Sequence, residues 1–488
     1  MVRASAQRRN GPDPFSAADA SSSDSDDDES SATTTSPRPR LPPTPQPHLH
    51  RHASHIHRGP PPPNAADGTG AAQLPPLPER GEDAERVFGP HICKLGVISD
   101  VQHAAGIPDG KSFHGVPRYY AAALEGARRA GRAFAAEQGL RYVLHLGDTI
   151  DGQHAVRGSG SSERAFNSVV DALLGVERGE EAADAAAGSA AAGAAGAPAG
   201  RYQQQERILL NLTANHEFYN FGGDDRATLN ALLGITPPQG PEHDGASYYS
   251  VQLAPGWRAL GLDSYDVSML GRPAGDPRHA QAVATLRAHN PNGSDDRPQG
   301  WDSPEGLHGV ARRHVRFGGG ASARQVAWLR SELAQARRLG ERVLVLNHLP
   351  LHPATAPPPC LLWNYREVLD VLAEFPGTVA ATLAGHAHMN GYVFEGGAGA
   401  AAGGSGVHHL VLPCVLETPP DRDCWAVMDV HERGLVLRGV DTCMSLAMAL
   451  GAAPVVRAAG EAEAEAEAEQ VVGALARVAI SSSEARRK

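Results

Sequence analysis

The 488-residue sequence lacks a long apolar run, and this absence limits the classes of protein to which it can belong. No stretch of 18 or more apolar residues occurs, so we expect no helix that spans a membrane. Positive charge is also in short supply, because 44 Lys and Arg stand against 55 Asp and Glu, with a net charge of −11 at pH 7. Nucleic-acid phosphates attract net-positive surfaces, so this balance disfavours a nucleic-acid partner.

Cysteine is scarce as well. The five cysteines show no paired spacing; they are Cys93, Cys360, Cys414, Cys424 and Cys443. An odd and sparse count is typical of a reducing compartment, and we therefore expect a cytoplasmic location. The start of the chain, MVRASAQRRNGPDPFS, is basic and has no apolar core, which disfavours a secretory signal. A transit peptide stays open as an alternative, weakened by the Asp and Glu residues that soon follow.

Large apolar residues are rare in residues 1–88, which are rich in Pro, Ser, Asp, Arg and His. Such a composition cannot bury enough apolar surface to offset chain entropy, so we predict a disordered tail. Residues 89–445 are predicted to form one folded domain, with low-complexity insertions at about 178–200 and 395–406 that a surface loop can accommodate. Residues 446–488 are predicted to be an acidic, alanine-rich tail.

Within the predicted domain, strand patterns alternate with helical patterns. The strand patterns include HICKLGVIS, RYVLHLGD, RILLNLTANH, RVLVLNHLP and TVAATLAGHAH. Helical spacing of apolar residues marks PRYYAAALEGARRAGRAFAAEQG, SARQVAWLRSELAQARRLGE and WNYREVLDVLAEF. Hairpins are predicted at SYYSVQLAPGWRALGLDSY and CWAVMDVHERGLVLRGV. This mixture predicts an α/β fold in which sheets pack between helices.

Five of the predicted strands end in residues that can bind metal ions. These residues are Asp100, Asp148 with Asp151, Asn215 with His216, His348, and His386 with His388. A single aspartate at such a position is often a helix cap, and a single histidine is more often structural. Five strand ends in succession, however, would meet in one crevice if the strands share one sheet system.

The residue types at these strand ends fit a pair of metal ions. Carboxylate, imidazole and amide groups together suit manganese, iron or zinc, and the lack of cysteine among them disfavours a thiolate zinc site. Two ions about 3.5–4 Å apart need a bridging ligand, usually a carboxylate. We assign the bridge to Asp148, because it directly follows an apolar strand and Gly147 allows a tight turn.

Strand alternation predicts which neighbours share a face, since residues i and i+2 of an extended chain point to the same side. His386 and His388 are therefore both expected to face the site. Asp100 and Gln102 are also expected to share a face, while His103 points away.

The same rule separates Asn215 from His216, because adjacent residues of an extended chain point in different directions. One of the two can then bind a metal ion while the other stays free. An amide oxygen can hold a metal ion, which leaves His216 as a candidate general acid.

The order of five motifs, SDVQ, GDTIDG, ANHE, NHLP and GHAH, resembles that of the calcineurin-like metallophosphoesterases. Two positions depart from that pattern: Gln102 stands where a histidine is usual, and Ala214 stands where a glycine is usual. Further stretches, including GVISDVQHA, LDSYDVSMLG, HNPN, WNYRE, AGHAHMNGY and LETPPD, narrow the resemblance over about residues 90–440. They are similar to the manganese-dependent ADP-ribose/CDP-alcohol diphosphatase family.

The resemblance implies a metallophosphoesterase domain, a sandwich of two mixed β-sheets flanked by helices. It also implies two divalent metal ions, with manganese preferred and magnesium, iron and zinc as alternatives. The implied reaction is hydrolysis of the diphosphate bond of ADP-ribose and of CDP-alcohols such as CDP-choline and CDP-glycerol. AMP or CMP would be released together with the phosphorylated partner.

Carried over residue by residue, the resemblance divides the ligands between the two ions. One ion would be held by Asp100, Gln102, Asp148 and His388, and the other by Asp148, Asn215, His348 and His386. His216 would be the acid. Asn215 and His216, the two residues after Ala214 with implied roles, are retained. We therefore expect alanine in place of glycine at position 214 to alter only the turn.

Other residues are assigned to the surroundings of the metal ions. Asp151 is expected to orient a ligand, with direct metal binding as the alternative. Phe113, Phe317 and Cys360 lie in loops that flank the ligand-bearing strands and are expected around the substrate, although the two phenylalanines could instead serve packing. Arg366 is a candidate for binding a phosphate or for packing on a helix.

Two other functions compete with the diphosphatase. One is a phosphomonoesterase or phosphoprotein phosphatase on the same fold, which Gln102 disfavours. The other is a non-catalytic metal-binding scaffold, which would be expected to lack a ligand or the acid. We expect a monomer that acts on a small-molecule nucleotide, with no nucleic-acid or membrane partner.

Overall fold

The computed structural model of the chain describes residues 81–112, 115–176, 203–204, 207–396 and 406–451. The strands there are β1 (His91–Ile98), β2 (Gly110–Lys111), β3 (Pro117–Arg118), β4 (Leu140–His145), β5 (Gln203–Gln204), β6 (Arg207–Asn211), β7 (Tyr249–Ala254), β8 (Trp257–Gly261), β9 (Arg342–Leu346), β10 (Val379–Ala384), β11 (Gly391–Gly396), β12 (Gly406–Val411), β13 (Cys424–His431), β14 (Gly434–Asp441) and β15 (Leu446–Ala449). The helices are α1 (Gly81–Phe88), α2 (Tyr120–Ala136), α3 (Ser159–Leu174), α4 (Asn215–Phe221), α5 (Arg226–Leu233), α6 (Pro277–His289), α7 (Ala323–Leu339) and α8 (Tyr365–Ala373).

The first large sheet has the strand order β15-β14-β13-β1-β4-β6-β5. Its central strands β1, β4 and β6 run parallel, while β13 pairs antiparallel with β1. The parallel strands are short and largely buried, as in Leu140–His145, of which all but one residue is buried. Such buried strands are expected where both faces of a sheet are covered.

The second large sheet has the order β11-β12-β10-β9-β8-β7. Strands β8, β9, β10 and β12 are parallel, and the antiparallel strands β7 and β11 form the edges. Every residue of β9 and β10 is buried. The hairpin that was predicted to turn at Pro255-Gly256 is formed by β7 and β8.

A single hydrophobic core joins the two sheets. It contains Val143 and Leu209 from the first sheet and Leu344 and Leu383 from the second. Two tyrosines add hydrogen bonds between the sheets: Tyr142 donates to the carbonyl of Gln252 at 3.0 Å, and Tyr249 donates to the carbonyl of Asn211 at 2.9 Å. The predicted α/β fold with two mixed sheets is therefore confirmed, and the carboxyl ends of parallel strands from both sheets are free to form one site.

The predicted domain boundaries need two corrections. Residues 81–88 were assigned to the N-terminal tail, yet they form α1, whose Ala84 and Phe88 are buried against Val436 and Ala447. Residues 446–449 were assigned to the C-terminal tail, yet they form β15, which pairs with β14. Both segments are stabilised by the same edge of the first sheet, which lies far from α1 in the sequence.

Several predicted features fall outside the described residues. They are the tail up to residue 80, the insertion at 178–200, residues 397–405 of the second insertion, and the chain after residue 451. All five cysteines lie within the described ranges, and none forms a disulfide. None of the helices in those ranges is long and apolar enough to cross a membrane.

Candidate metal centre

The predicted ligands lie at the carboxyl ends of strands from both sheets. In the first sheet, Asp100 follows β1, Asp148 follows β4 and Asn215 follows β6. In the second sheet, His348 follows β9, and two histidines, at 386 and 388, follow β10. The two sheets thus contribute to a single crevice, as the strand-end pattern predicted.

The backbone at these positions differs from the extended chain that the alternation argument assumed. Among the described residues, six non-glycine residues have a positive φ, and five of them are predicted ligands: Asp100 (49°), Gln102 (43°), Asp148 (57°), His386 (63°) and His388 (53°). This left-handed conformation is costly for residues with a side chain and is concentrated at functional sites. The predicted partners do converge, but through these left-handed turns and not through strand alternation.

One group of side chains comprises Asp100, Gln102, Asp148 and His388. Donor atoms of Asp100, Asp148 and His388 all lie within 4.8 Å of one another. His388 Nε2 is 3.3 Å from Asp100 Oδ1. Gln102 Nε2 is 2.9 Å from Asp148 Oδ2 and 3.1 Å from His388 Nε2. This group corresponds to the first predicted ion.

A second group comprises Asp148, Asn215, His348 and His386. Donor atoms of Asp148, His348 and His386 again lie within 4.8 Å of one another. His348 Nε2 is 3.2 Å from Asn215 Oδ1, 3.2 Å from His386 Nδ1 and 3.5 Å from Asp148 Oδ2. Asp148 belongs to both groups, which is the arrangement that a bridging carboxylate requires.

The chemistry of these donors fits divalent cations. Carboxylate, imidazole and amide groups suit borderline-hard ions, and no cysteine belongs to either group. Gln102 Oε1, the atom that the sequence predicts as a ligand, is buried and has no hydrogen-bond partner among the described residues. A buried amide oxygen without a partner is costly. The amide nitrogen faces Asp148 and His388, so a half-turn of the amide would bring Oε1 toward an ion that satisfies it.

Two of the histidines have one ring nitrogen fixed and the other free for a metal ion. His348 Nδ1 lies 2.7 Å from the carbonyl oxygen of Leu146, so Nδ1 carries the proton. His388 Nδ1 lies 3.1 Å from Glu417 Oε1, an ion-pair contact that favours a proton on Nδ1. In both rings Nε2 faces the other ligands, and this tautomer is the one that metal binding requires.

His216 lies beside the two groups at the start of α4. Its Nδ1 accepts a hydrogen bond from the backbone N–H of Gly152 at 2.7 Å. The proton of the neutral ring is therefore on Nε2, which is 3.9 Å from Asp148 Oδ2. Asp151 Oδ2 lies 3.7 Å from His216 Nδ1, so Asp151 lies next to the predicted acid and not within either ligand group.

His103, the alternative ligand in the first motif, points elsewhere. Its Nδ1 lies 3.4 Å from the carbonyl oxygen of Tyr120, and its ring is 6.2 Å from that of His154. Burial lowers the pKa of His103 to about 4. Gln102 therefore faces the ligand groups, and His103 packs against α2.

Three residues with clear contacts to the site had no assigned role in the sequence analysis. Glu217 accepts hydrogen bonds from the backbone N–H groups of Asp148 and Thr149 at 3.2 and 2.8 Å, and burial together with the charge of Asp148 raises the pKa of Glu217 to about 7. Tyr265 donates to Asn215 Oδ1 at 3.0 Å. The third is Glu417. Their only sequence signal was their position inside the motifs ANHE, LDSYDVSMLG and LETPPD.

The departure at Ala214 is accommodated without backbone strain. Ala214 has φ −142° and ψ 173°, an extended conformation that any residue adopts, and it precedes α4. The position that requires glycine is Gly147, on the other side of the site, whose φ is +97°. A Cβ atom on Gly147 would lie 2.7 Å from Ala214 Cβ and 2.8 Å from His348 Nδ1.

This contact predicts that Gly147→Ala lowers the stability of the folded protein substantially. A suitable control is Gly139→Ala, because Gly139 has φ +79° and a Cβ atom added there would have no other atom within 4 Å. Left-handed strain should cost each variant about 1–2 kcal/mol. Overpacking against His348 should cost Gly147→Ala roughly 1–3 kcal/mol more. Urea unfolding of the metal-free proteins measures the difference, and equal losses of stability would contradict the predicted clash.

The four predicted substrate residues differ in how close they lie to the ligand groups. The half-buried Phe317 has its ring centroid 6.4 Å from that of His386. Burial raises the pKa of the Cys360 thiol to about 11, and the charges of His388 and Asp100 also act on it, so Cys360 lies near the site. Arg366 is exposed on the first turn of α8 and lies in none of the hydrogen bonds or ion pairs described for this site. Phe113 lies outside the described residues.

Known proteins with similar sequences match about three quarters of this chain. No family model matches the chain. The manganese-dependent ADP-ribose/CDP-alcohol diphosphatase of Arabidopsis thaliana is 31% identical over 354 residues, which cover 72% of this chain and 96% of the relative. This chain belongs to the ADP-ribose/CDP-alcohol diphosphatase family. The resemblance inferred from the motifs is thereby confirmed.

Two further relatives support the assignment to this diphosphatase family. The Homo sapiens protein of the same name is 30% identical over 75% of this chain and 93% of its own length. A solved structure of a dimetal phosphatase from Danio rerio is 30% identical, with a TM-score of 0.60, and the match covers 74% of this chain and 100% of that one. The matched length accords with a domain that excludes both long tails.

Proposed function

We propose that this family member hydrolyses the diphosphate bond of ADP-ribose and of CDP-alcohols such as CDP-choline and CDP-glycerol. The products are AMP or CMP and the phosphorylated partner. The observation that carries the proposal is the pair of ligand groups that share Asp148. Beside them lies His216, which belongs to neither group. Two divalent ions, with manganese preferred as in the names of the relatives, are the cofactors.

The residues that would hold one ion are Asp100, Gln102, Asp148 and His388, and those for the other are Asp148, Asn215, His348 and His386. When bound, such ions supply charge neutralisation at the phosphoryl oxygens and a water molecule of lowered pKa. The chain itself holds the donors in position before substrate arrives. Tyr265 fixes the amide of Asn215, and Glu217 fixes the backbone of Asp148.

His216 acts on the substrate through Nε2. The hydrogen bond from Gly152 leaves the proton on that nitrogen, which faces the ligand groups. In this state His216 donates a hydrogen bond to a phosphoryl oxygen or a proton to the leaving group. Asp151 remains a proposed supporting residue; its Oδ2 lies 3.7 Å from Nδ1, which is beyond hydrogen-bond distance, and the backbone N–H of Gly152 is what orients the ring. Phe317 and Cys360 line the substrate site. Phe113 and Arg366 are further proposed contacts of the substrate.

The test is a substrate panel with purified protein. ADP-ribose, CDP-choline and CDP-glycerol are compared with a phosphopeptide, in manganese and in magnesium. We expect AMP or CMP from the nucleotides, faster turnover in manganese and no release of phosphate from the peptide. Turnover of the phosphopeptide alone would favour the phosphoprotein phosphatase, and no turnover in either metal would favour the scaffold.

Three broader expectations accompany this function. The negative net charge supports the absence of a nucleic-acid partner, and the unpaired cysteines support a cytoplasmic location. A small-molecule substrate needs no second subunit, so we propose a monomer. Separately, we propose a catalytic domain that includes helix α1 and strand β15 and so extends over residues 81–451.

A further inference from the structure

The two ligand groups differ in what supports their histidines. His348 donates its Nδ1–H to a neutral backbone carbonyl, that of Leu146. His388 instead has its Nδ1 3.1 Å from Oε1 of the Glu417 carboxylate, in an ion-pair contact, with a donor atom of Cys414 within 4.8 Å of both residues. A carboxylate behind a histidine ligand fixes the ring and raises the basicity of its free nitrogen more than a carbonyl does.

Glu417 is itself held on two sides. Its backbone N–H donates to Cys414 Sγ at 3.3 Å, and the preceding residue, Leu416, donates its N–H to the carbonyl of Asp100 at 3.3 Å. Glu417 Oε1 also forms an ion pair with Arg118, whose Nε is 3.7 Å away. The loop that carries Glu417 is therefore tied to a ligand of the same group.

Arg118 is well placed to hold this carboxylate. It is only 8% exposed, and its Nε has no hydrogen-bond partner among the described residues. The side chains of Tyr120, Asp151 and Glu417 stabilise its buried charge, and Glu417 Oε1 lies 3.7 Å from Nε. The adjacent Tyr119 donates its backbone N–H to the carbonyl of Leu416 at 2.8 Å. The backbone that follows β3 and the loop before Glu417 are thus joined next to the ion pair.

We propose that Glu417, held by Arg118, is a positioning residue that selectively strengthens binding of the ion held by Asp100, Gln102, Asp148 and His388. The other ion, which has only a backbone carbonyl behind His348, is not affected. This inference rests on the two-ion site of the proposed function. It adds an asymmetry between the ions that the ligands alone do not provide.

The test measures manganese binding by the full, metal-free chain, from the electron paramagnetic resonance signal of free Mn²⁺. The variants are Glu417→Gln, which keeps an acceptor but removes the charge, and Glu417→Ala, which removes both. We expect one of the two dissociation constants to rise about 10-fold in the first variant and up to about 100-fold in the second. The other constant should stay within about two-fold of the unmodified protein.

Glu395→Gln is a matched control. Glu395 Oε2 lies 3.3 Å from His409 Nε2, which is a similar carboxylate–histidine contact outside the ligand groups. Both manganese constants should be unchanged in this variant. Thermal unfolding should show that each metal-free variant is folded at the temperature of the titration, which excludes a general loss of structure as the cause. The Glu417 variants should unfold at a lower temperature than the unmodified protein, because they leave the buried charge of Arg118 without this partner.

Arg118→Gln tests the second part of the proposal. We expect it to weaken the same ion, and the double variant with Glu417→Gln should lose less affinity than the product of the two single losses, since both act through one contact. If Arg118→Gln leaves both constants unchanged, Arg118 does not position Glu417. If Glu417→Gln leaves both unchanged or weakens both equally, the selective role is wrong.

Three further outcomes separate this inference from its premises. His388, Cys414 and Glu417 also bring donor atoms within 4.8 Å of one another, so three manganese ions per chain would make Glu417 a ligand and overturn the positioning role. An unmodified chain that binds no manganese would contradict the proposed function itself. An unmodified chain that binds two ions and hydrolyses ADP-ribose, with Glu417→Gln indistinguishable from it, would contradict this inference alone.

Discussion

Asp148→Asn should lower the turnover of ADP-ribose on the order of 10³-fold, the largest loss that we expect from a single ligand. Asp148 is the residue that both ligand groups share. Its Oδ2 lies 3.5 Å from His348 Nε2 and accepts from Gln102 Nε2 at 2.9 Å. The substitution removes the negative charge that the two described ligand groups share, so both ions lose binding energy. Several kcal/mol of charge stabilisation are also lost in the transition state.

The electrostatic surroundings of Asp148 support this expectation. Burial alone would favour its neutral form, but the adjacent His216 and His348 hold the pKa of Asp148 well below its usual range. The residue is therefore a carboxylate at all pH values at which the enzyme would be assayed. An asparagine of the same shape keeps the hydrogen bond that Oδ1 accepts from the backbone N–H of His216 at 3.0 Å, so the loss reports the negative charge and the acceptor at Oδ2 and not the anchoring of Oδ1.

Asp441→Asn is the control for this experiment. Asp441 is the one described non-glycine residue with positive φ, 45°, that is not a predicted ligand, and Asp148 has φ 57°. The same change is thus made in the same backbone conformation, at a position where the carboxylate accepts from the backbone N–H of Asp423. Turnover and manganese stoichiometry should be unchanged in Asp441→Asn. An Asp148→Asn variant that retains normal turnover and two bound ions would contradict the bridging role.

The sequence alone predicted that these side chains converge, because strand ends carry a strong local signal. Apolar runs such as Leu140–His145 and Val379–Ala384 end abruptly in Asp148 and in the GHAH motif, and parallel strands bring their carboxyl ends together. What could not be predicted was the backbone conformation there. The left-handed turns depend on contacts between segments far apart in the chain, such as Asp100 N–H to Gly147 O at 3.1 Å and His386 N–H to Asp100 Oδ2 at 3.0 Å.

The supporting residues were missed for a related reason. Glu417 contacts His388 only because β12 lies beside β10 in the second sheet, and no local periodicity reports that pairing. Helix α1 and strand β15 were assigned to tails because each is short, and each is stabilised by β14 and not by its own sequence. Local pattern therefore predicts which residues carry the chemistry, while tertiary contacts decide what holds them in place.

His216→Gln should lower kcat for ADP-ribose by about 10²–10⁴-fold while both manganese ions stay bound. The ring belongs to neither ligand group, and its Nε2 is 3.9 Å from Asp148 Oδ2. The backbone N–H of residue 216, which donates to Asp148 Oδ1, is unaffected by the change. Catalysis should therefore be lost without loss of metal, and manganese titration of the variant checks that separation.

His154→Gln is the matched control for His216→Gln. His154 is also buried and accepts a backbone N–H, that of Ala105, through Nε2 at 3.0 Å, but it lies outside both ligand groups. Its replacement should leave kcat within a few-fold, since it holds no proton that faces the substrate. A comparable loss in both variants would indicate that the effect of His216→Gln is structural.

The leaving group distinguishes acid catalysis by His216 from simple positioning. A p-nitrophenyl ester of a nucleoside monophosphate releases a weakly basic phenolate, which needs no proton in the transition state. If His216 Nε2 donates its proton to the leaving group, His216→Gln should slow this ester far less than it slows ADP-ribose. Equal losses with both substrates would assign His216 to hydrogen bonding of a phosphoryl oxygen, because that contact is made whichever group departs. Loss of a manganese ion in the variant would instead make His216 part of the metal centre.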